Sequence, residues 1–260
     1  DDVVQAVSGM MSITGTPETG PLKSGSTIVD YTTGYAAALA IAIALFQRTR
    51  TGEGQAIDVA MLETAMTMMG GEVLRAITAN ETPPLVGNAS GKGGYVRNTY
   101  RCKAGHLSIA AGAPNRREKL WKAIDATDIP QDPRFATDAA VAKNMKALDE
   151  ALERKLSTKT AGEWEVILNE AGVPAMEVLP LARAVHHPQL EHRKFFHRFD
   201  DTEASGLPPF AVPTAPYRLS ASPAKIHSMP PRLGQHTDEV LAENGFSKEE
   251  IAEMHASNIV

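Results

Sequence analysis

The stretch VDYTTGYAAALAIAIALFQRTRTGEGQAIDVAMLETA, residues 29–65, decides the fold. Ala, Ile and Leu occupy nearly every position of residues 31–48, which predicts a helix that is packed on most of its sides. Charged residues and two glycines follow at 48–55, and they predict that the helix ends there. The first half of the stretch therefore predicts one long, buried helix.

The second half of the same stretch changes its periodicity. Apolar residues alternate at Ile57 and Val59, which predicts a short strand over residues 55–61. A second helix is predicted for residues 61–79. Helix, strand and helix in close succession are typical of one layer of an α/β protein.

One acid, Asp30, stands at the start of the first predicted helix. Asp is among the best helix N-caps, and Thr32 and Thr33 follow to share that role, so an N-cap is the commoner explanation. A carboxylate at a helix N-terminus is also favoured by the helix dipole, which keeps it charged and oriented as a nucleophile must be. The two interpretations are compatible, and the local sequence does not decide between them.

Composition limits the class of protein. The 260 residues suit one large domain or two modest ones, and 43% hydrophobic residues can form a sizeable core. A net charge of −5 favours neither nucleic acid nor an anionic membrane as a partner. The apolar run Tyr35 to Phe46 is shorter than the roughly 20 residues of a membrane span, so no membrane partner is predicted. The single cysteine, Cys102, fits a cytoplasmic location.

The rest of the chain predicts a smaller α+β domain and a return segment. The predicted parts are a large-domain part at 1–80, a linker with a glycine loop at 81–94, a small α+β domain at 95–195, and a return segment at 196–260. Within the small domain we expect a β-hairpin at 95–112, helices at about 114–126, 140–157 and 160–171, and a strand at 173–180. Trp121 and Trp164 take apolar helical positions, which favours the core. Two C-terminal helices are expected to begin at the caps Thr237 and Ser247, the latter with Glu250 in a capping box.

A glycine cluster could be a plain linker or a loop that approaches an anion. It consists of Gly87, Gly91, Lys92, Gly93 and Gly94. Backbone N–H groups in such a loop can come close to a developing oxyanion. The spacing fits neither a P-loop nor a dinucleotide fingerprint.

Other charged groups are candidate ligand sites. The histidines His186, His187 and His192 lie near Glu191, but no zinc motif is present, and no metal is predicted. The basic pair Arg48 and Arg50 favours a solvated helix end, with a phosphate contact as the alternative. Carboxylate binding and plain surface charge are equally compatible with three further arginines: Arg97, Arg116 and Arg117.

The quoted stretch resembles the family III CoA-transferases of the CaiB/BaiF type, which have the α-methylacyl-CoA racemases as relatives. The shared pattern is an apolar run, an Asp, a small-residue helix, the RTRTGEGQ turn, a strand and the AMLE segment. Further segments are similar at the expected places: AVSGMMSITG (6–15), GHLSIAAG (105–112), DPRF (132–135), AGVPAMEV (171–178) and PRLGQHTDEVL (231–241).

The resemblance implies an α/β fold with an incomplete Rossmann-like large domain, a smaller inserted domain and two interlocked chains in a homodimer. It implies that Asp30 is the catalytic nucleophile, with Gly93 and Gly94 in the loop that covers it. Met61, Gly91 and Lys92 are implied to lie at the coenzyme A site, with CoA as a co-substrate and no metal. Acyl-CoA and a carboxylic acid would be the substrates.

The resemblance leaves two rivals to a transferase. In an acyl-CoA racemase or epimerase, Asp30 would be an acid/base group working α to the thioester. The other rival is an inactive CoA-binding fragment, because family members usually carry further residues before the point where this chain starts. We expect that N-terminal portion of the same protein to be a further partner.

Overall fold

A computed structural model describes residues 1–89, 95–200 and 208–260 of an α/β chain. The described chain forms two compact units, Asp1–Val178 and Leu179–Val260. Catalytic and CoA-site predictions for Gly91, Lys92, Gly93 and Gly94 lie outside the described residues. The division of the sequence into four parts stays a prediction.

The first unit opens with short elements and two long helices that pack against each other. The predicted helix over 61–79 is confirmed, and the helix at Gly70 departs from helical geometry with φ 22° and ψ −84°. The elements in order are α1 Asp2–Val7, a 3₁₀ turn Met11–Ile13, the antiparallel strands β1 Gly15–Thr16 and β2 Gly20–Pro21, α2 Ile28–Thr51 and α3 Met61–Ala79.

The predicted burial of α2 is wrong. Val29 is its only buried residue, while Tyr35, Leu39 and Phe46 are 61%, 62% and 59% exposed. A line of small residues spaced four apart, Ala36, Ala40 and Ala44, is half-buried, and this is the side that α3 can cover. The large apolar side chains point elsewhere, and no described residue buries them.

Length also corrects the expectation that this segment is too short to span a membrane. α2 has 24 residues, so by length and composition alone it could cross a membrane. In the structure, 11% of its most apolar stretch is buried. One such helix is weak support for a membrane segment, because core helices of soluble proteins have the same character. α2 ends as predicted at glycine: Gly52 has φ 78° and donates its N–H to the carbonyl of Arg48.

The predicted strand over 55–61 is not formed. Residues 53–60 take no regular structure, and α3 already begins at Met61. A strand requires a neighbour for its backbone hydrogen bonds. Within the described part of the chain, the backbone of residues 55–59 has no such partner.

A three-stranded antiparallel sheet forms the centre of the small α+β region. The predicted hairpin is confirmed: Tyr100 lies opposite Leu107, and Gly105 takes the left-handed conformation at the turn with φ +79°. The predicted strand at 173–180 is confirmed over a shorter length. The strand order is β3-β4-β5, with bounds β3 Arg97–Arg101, β4 His106–Ala110 and β5 Ala175–Glu177.

Helices cover this sheet and supply the main hydrophobic core. The predicted helix over 140–157 is divided at Asn144. Trp164 is buried as predicted and donates its indole N–H to the carbonyl of Leu156 at 2.8 Å, while Trp121 packs against the core with part of its surface exposed. The helices are α4 Pro114–Ala123, a 3₁₀ turn Ile129–Gln131, α5 Asp138–Lys143, α6 Met145–Leu156 and α7 Ala161–Glu170.

The described part of the second unit contains short helices and one strand pair. Its Ser247 cap is confirmed, with Glu250 completing the capping box. The prediction that Thr237 caps its helix is wrong, because Thr237 is the first helical residue. His236 takes the cap position, and its side chain makes no capping hydrogen bond. The elements are α8 Leu181–Ala184, α9 Pro188–His192, the antiparallel β6 Phe196–Phe199 and β7 Phe210–Pro213, α10 Thr237–Glu243 and α11 Lys248–Ala256.

Candidate active site

Asp30 lies in the first turn of α2, at its third residue. The helix begins two residues earlier, at Ile28, so the N-cap assignment of Asp30 is wrong. Thr32 and Thr33 do not cap either, since their hydroxyls donate to the carbonyls of Ile28 and Val29, each at 2.7 Å. The Asp30 side chain is 52% exposed. It is therefore a solvent-accessible carboxylate at the positive end of a helix.

The carboxylate that caps α2 belongs to Asp1. Its Oδ2 accepts the backbone N–H of Val29 at 2.7 Å and that of Asp30 at 3.1 Å. The backbone nitrogen of Asp1 lies 3.7 Å from Oδ1 of Asp30. Two free N–H groups of the first turn are satisfied in this way by a residue distant in sequence. Asp1 thereby fixes the backbone that carries Asp30.

Gln5 holds Asp1 in place from one turn further along α1. The side chain of Gln5 is buried, and its Nε2 donates to Oδ1 of Asp1. Its Oε1 accepts the backbone N–H of Ser24 at 2.9 Å. Both ends of a buried amide are thus hydrogen-bonded, as burial of a polar group requires. Gln5, Asp1 and the first turn of α2 form one connected network.

Met61 occupies the corresponding end of the neighbouring helix. It is half-buried at the first position of α3, directly after Ala60 in extended conformation. Asp30 and Met61 therefore both lie in the first turns of helices that pack against each other.

The basic pair lies at the opposite end of α2 from Asp30. Arg48 is 18 residues after Asp30, which corresponds to about 27 Å along a helix axis. Both arginines of the pair are exposed, and the guanidinium of Arg50 lies 4.4 Å from the ring centroid of Phe46. A ligand that touched both Asp30 and these arginines would have to be long.

Three further candidate arginines have different surroundings. Arg97 passes close to Gly112, where an added Cβ would come within 2.8 Å of its Nε. Arg116 is exposed. Arg117 lies over the ring of Tyr95 at 4.9 Å and 3.8 Å from Asp138, in a pocket that also includes Trp121. Burial, followed by the charge of Asp138, raises the pKa of the Tyr95 phenol.

One residue of the histidine cluster has a structural role in α9. Nδ1 of His187 accepts the backbone N–H of Gln189 at 3.1 Å, which caps that helix. Among residues 1–89, 95–200 and 208–260, no group of three His, Cys, Asp or Glu side chains is arranged to hold a metal ion.

Sequence reasoning missed Asp1 and Gln5. Their spacing of four residues places Asp1, just before α1, on the same side as Gln5 within it, which is a detectable helical signal. The pattern does not show which distant helix that side would meet, so the cap of α2 could not be assigned from it.

Comparisons with known proteins agree on one family. A model of CoA-transferase family III matches residues 1–237. The chain is 27% identical to a succinyl-CoA–D-citramalate CoA-transferase from Chloroflexus aurantiacus, over 98% of this chain and 63% of that relative. It is 29% identical to a formyl-CoA:oxalate CoA-transferase from Rhodopseudomonas palustris, over 99% of this chain and 65% of that relative.

A solved structure is similar along most of the chain. It is a CAIB/BAIF family protein from Brucella suis, with a TM-score of 0.80 and 28% sequence identity, and the match covers 94% of this chain and 62% of that one. The chain thus spans less than two thirds of the length of these relatives.

Proposed function

The chain belongs to CoA-transferase family III, and on that premise we propose that it carries the nucleophile of an enzyme that moves CoA from an acyl-CoA to a carboxylic acid. Asp30 is the proposed nucleophile. The observation that carries the proposal is its position, an accessible carboxylate in the first turn of α2 whose backbone is fixed by Asp1. The helix dipole favours the ionised form, which is the nucleophilic one.

The proposed reaction has two symmetrical halves. Asp30 attacks the thioester carbonyl of the donor, the C–S bond breaks, and a mixed anhydride forms with release of CoA thiolate. The thiolate attacks the aspartyl carbonyl, which gives an aspartyl-CoA thioester and frees the donor acid. The acceptor carboxylate then attacks this thioester, the C–S bond breaks, and a second mixed anhydride forms with release of the thiolate. The thiolate attacks the acceptor acyl carbon of that anhydride, which gives the new acyl-CoA. Asp30 leaves as a carboxylate, so no proton or electron is consumed.

This chemistry sets physical requirements for the rest of the site. Both anhydrides hydrolyse readily, so water must be excluded and the oxyanions must be held by N–H donors. We propose that Gly93 and Gly94 lie in the covering loop, and that Met61, Gly91 and Lys92 contact CoA. Arg48 and Arg50 are candidates for its phosphates, at the distance that a long ligand would require. None of these steps needs a metal.

The proposal includes the assembly and location of the protein. We propose a Rossmann-like large domain completed by further residues, a homodimer of interlocked chains, and a cytoplasmic location. The names of the two relatives described above support a transferase over a racemase, because both are CoA-transferases.

Chemical trapping tests the role of Asp30. The natural polypeptide that carries residues 1–260 is incubated with formyl-CoA or succinyl-CoA and quenched with hydroxylamine. We expect a hydroxamate at Asp30 in the peptide mass spectrum. Asp30→Asn should lack it and should lose at least about 10³-fold of the transfer rate, the scale seen when a nucleophile is removed.

A first-turn acid in another helix provides the matched control. Glu249 is exposed in the first turn of α11, and Glu249→Gln should keep full activity and the hydroxamate at Asp30. Deuterium exchange at the α-carbon of the substrate, with no trapped adduct, would indicate the racemase instead. Full activity of Asp30→Asn would remove Asp30 from the mechanism.

A further inference from the structure

The small α+β region contains a pocket, which we call the α4–α5 pocket, between helix α4 and the start of helix α5. Its volume is about 260 Å³, and the described residues that line it all lie between Tyr95 and Leu148. An engineered cavity of about 150 Å³ holds benzene, so this pocket has room for a ligand of about ten non-hydrogen atoms. Asp30 is not among the lining residues, so the pocket is not part of the site proposed above.

Most of the lining of the α4–α5 pocket is apolar. Ile129, Val141 and Leu148 line it with aliphatic side chains, and each of these residues is at most 4% exposed. Trp121 and Phe135 add two aromatic rings that are partly buried against the same core. Small-molecule sites commonly have this character, with an apolar lining and a small number of polar groups that fix the orientation of the ligand.

Arg117 is the cationic group of the pocket. Its side chain is only 18% exposed, and its guanidinium lies 4.9 Å from the centroid of the Tyr95 ring. Nη2 of Arg117 lies 3.8 Å from Oδ1 of Asp138, which is longer than a hydrogen bond. The planar guanidinium carries five N–H donors and binds a carboxylate with two parallel hydrogen bonds. A closer acceptor than Asp138 can therefore bind to it.

The charges around the pocket favour an anionic ligand over a cationic one. Aromatic rings attract cations, and Glu118 and Asp138 also line the pocket. The Tyr95 ring, however, already faces the guanidinium of Arg117. Both acids are exposed, with 83% of the Asp138 side chain accessible, so water and salt screen them. A cationic ligand would lie beside a mostly buried arginine, whereas an anionic ligand would pair with it.

We propose that the α4–α5 pocket binds a small apolar monocarboxylic acid. Its carboxylate takes the N–H groups of Arg117 in place of Asp138, and its hydrocarbon part lies against the three buried aliphatic side chains. A dicarboxylic acid would place its second charge against that apolar lining, where no partner compensates for the loss of water. No bond forms or breaks in this binding, and the site does not depend on the transfer reaction proposed for Asp30.

Three probes of equal shape test the charge of the ligand. Phenylacetate, its neutral analogue 2-phenylacetamide and the cation phenethylamine are each equilibrated by dialysis with the natural polypeptide that carries residues 1–260. Phenylacetate should bind at least about tenfold more tightly than the amide, because hydrogen bonds to a charged group are the stronger ones. Equal binding of the acid and the amide, tighter binding of the amine, or no saturable binding of phenylacetate below about 10 mM would overturn the proposal.

The two tryptophans of the chain locate the bound acid. Trp121 lines the pocket, whereas the indole N–H of Trp164 donates to the carbonyl of Leu156 and does not line it. In protein labelled with ¹⁵N-tryptophan, phenylacetate should shift the indole resonance of Trp121 and leave that of Trp164 in place. Asp30→Asn should change neither the affinity nor this shift. Binding that is lost in Asp30→Asn and that leaves Trp121 unmoved would place the acid at Asp30 and contradict the pocket.

Two substitutions with opposite expected effects test the roles of Arg117 and Asp138. Arg117→Gln should weaken the binding of phenylacetate at least about tenfold, while Arg116→Gln, at an exposed neighbour outside the pocket, should not. Asp138→Asn should tighten the binding about two- to fivefold, because it removes the carboxylate that competes for Arg117. A variant that failed to fold could not give tighter binding. Weaker binding to Asp138→Asn, or unchanged binding to Arg117→Gln, would show that the acid does not replace Asp138 on Arg117.

Discussion

Oδ2 of Asp1 accepts the backbone N–H of Asp30 at 3.1 Å, so the residue that precedes α1 caps the helix that carries the proposed nucleophile. We expect Asp1→Ala to lower the free energy of unfolding by about 1 kcal/mol, as the loss of an N-cap does. The measurement is urea unfolding followed by circular dichroism.

The neighbouring acid is the control for this cap. Asp2 is exposed, and its carboxylate accepts a hydrogen bond from Nζ of Lys23 at the surface. Asp2→Ala should change the free energy of unfolding less than Asp1→Ala does, since exposed ion pairs contribute little. If the two variants unfold alike, the cap by Asp1 has no measurable effect.

Ser247 and Thr237 form a second matched pair, because the sequence predicts both as caps and the structure has only one of them. The hydroxyl of Ser247 accepts the N–H of Glu250 at 3.2 Å, whereas Thr237 lies inside α10. Ser247→Ala should destabilise α11 by about 1 kcal/mol, measured by hydrogen exchange of the amides of that helix. Thr237→Ala should cost clearly less in α10, and a larger loss there would contradict the assignment.

Local signals in the sequence account for what could be predicted. The turn at Gly105 and the box of Ser247 and Glu250 lie within a few residues of the elements they define, so the hairpin and the second C-terminal helix follow from them. The start of α2 depends on Asp1, which lies far from it in sequence. The strand at 55–59 has the right pattern, but a pattern does not show whether a neighbouring strand is present.

The pH dependence of stability tests the half-buried Asp149. Burial raises the pKa of Asp149 above its ordinary value of 3.8, although Nδ2 of Asn98 donates to it at 3.3 Å. A carboxyl group whose pKa is raised by folding stabilises the native state. This contribution is fully present at pH below the unfolded pKa, and it is lost as the pH rises through the folded pKa. Asp149→Asn cannot ionise and escapes that loss. Its stability relative to the natural protein should therefore increase from about pH 3 to about pH 7 in urea unfolding.

The adjacent residue controls for a general effect of charge. Glu150 is exposed, and Glu150→Gln should show no comparable trend with pH. The opposite trend would be a decrease in the free energy of unfolding of Asp149→Asn relative to the natural protein as the pH rises. It would show that hydrogen bonds stabilise ionised Asp149 more than burial destabilises it.

Cys102 should be nearly inert in the folded protein. It is the single cysteine, it is buried next to the hairpin turn, and burial with the nearby charge of Glu153 raises its pKa to about 11. An unfolded cysteine has a pKa of about 8.5. At about pH 8 the folded thiol should therefore react with a disulfide reagent at least about 100-fold more slowly than the unfolded thiol. The rate of colour release in buffer and in denaturing urea measures the ratio. Because no other thiol contributes to the signal, a folded rate close to the unfolded one would show that Cys102 is accessible and ionised, and that the hairpin turn opens on the time scale of the reaction.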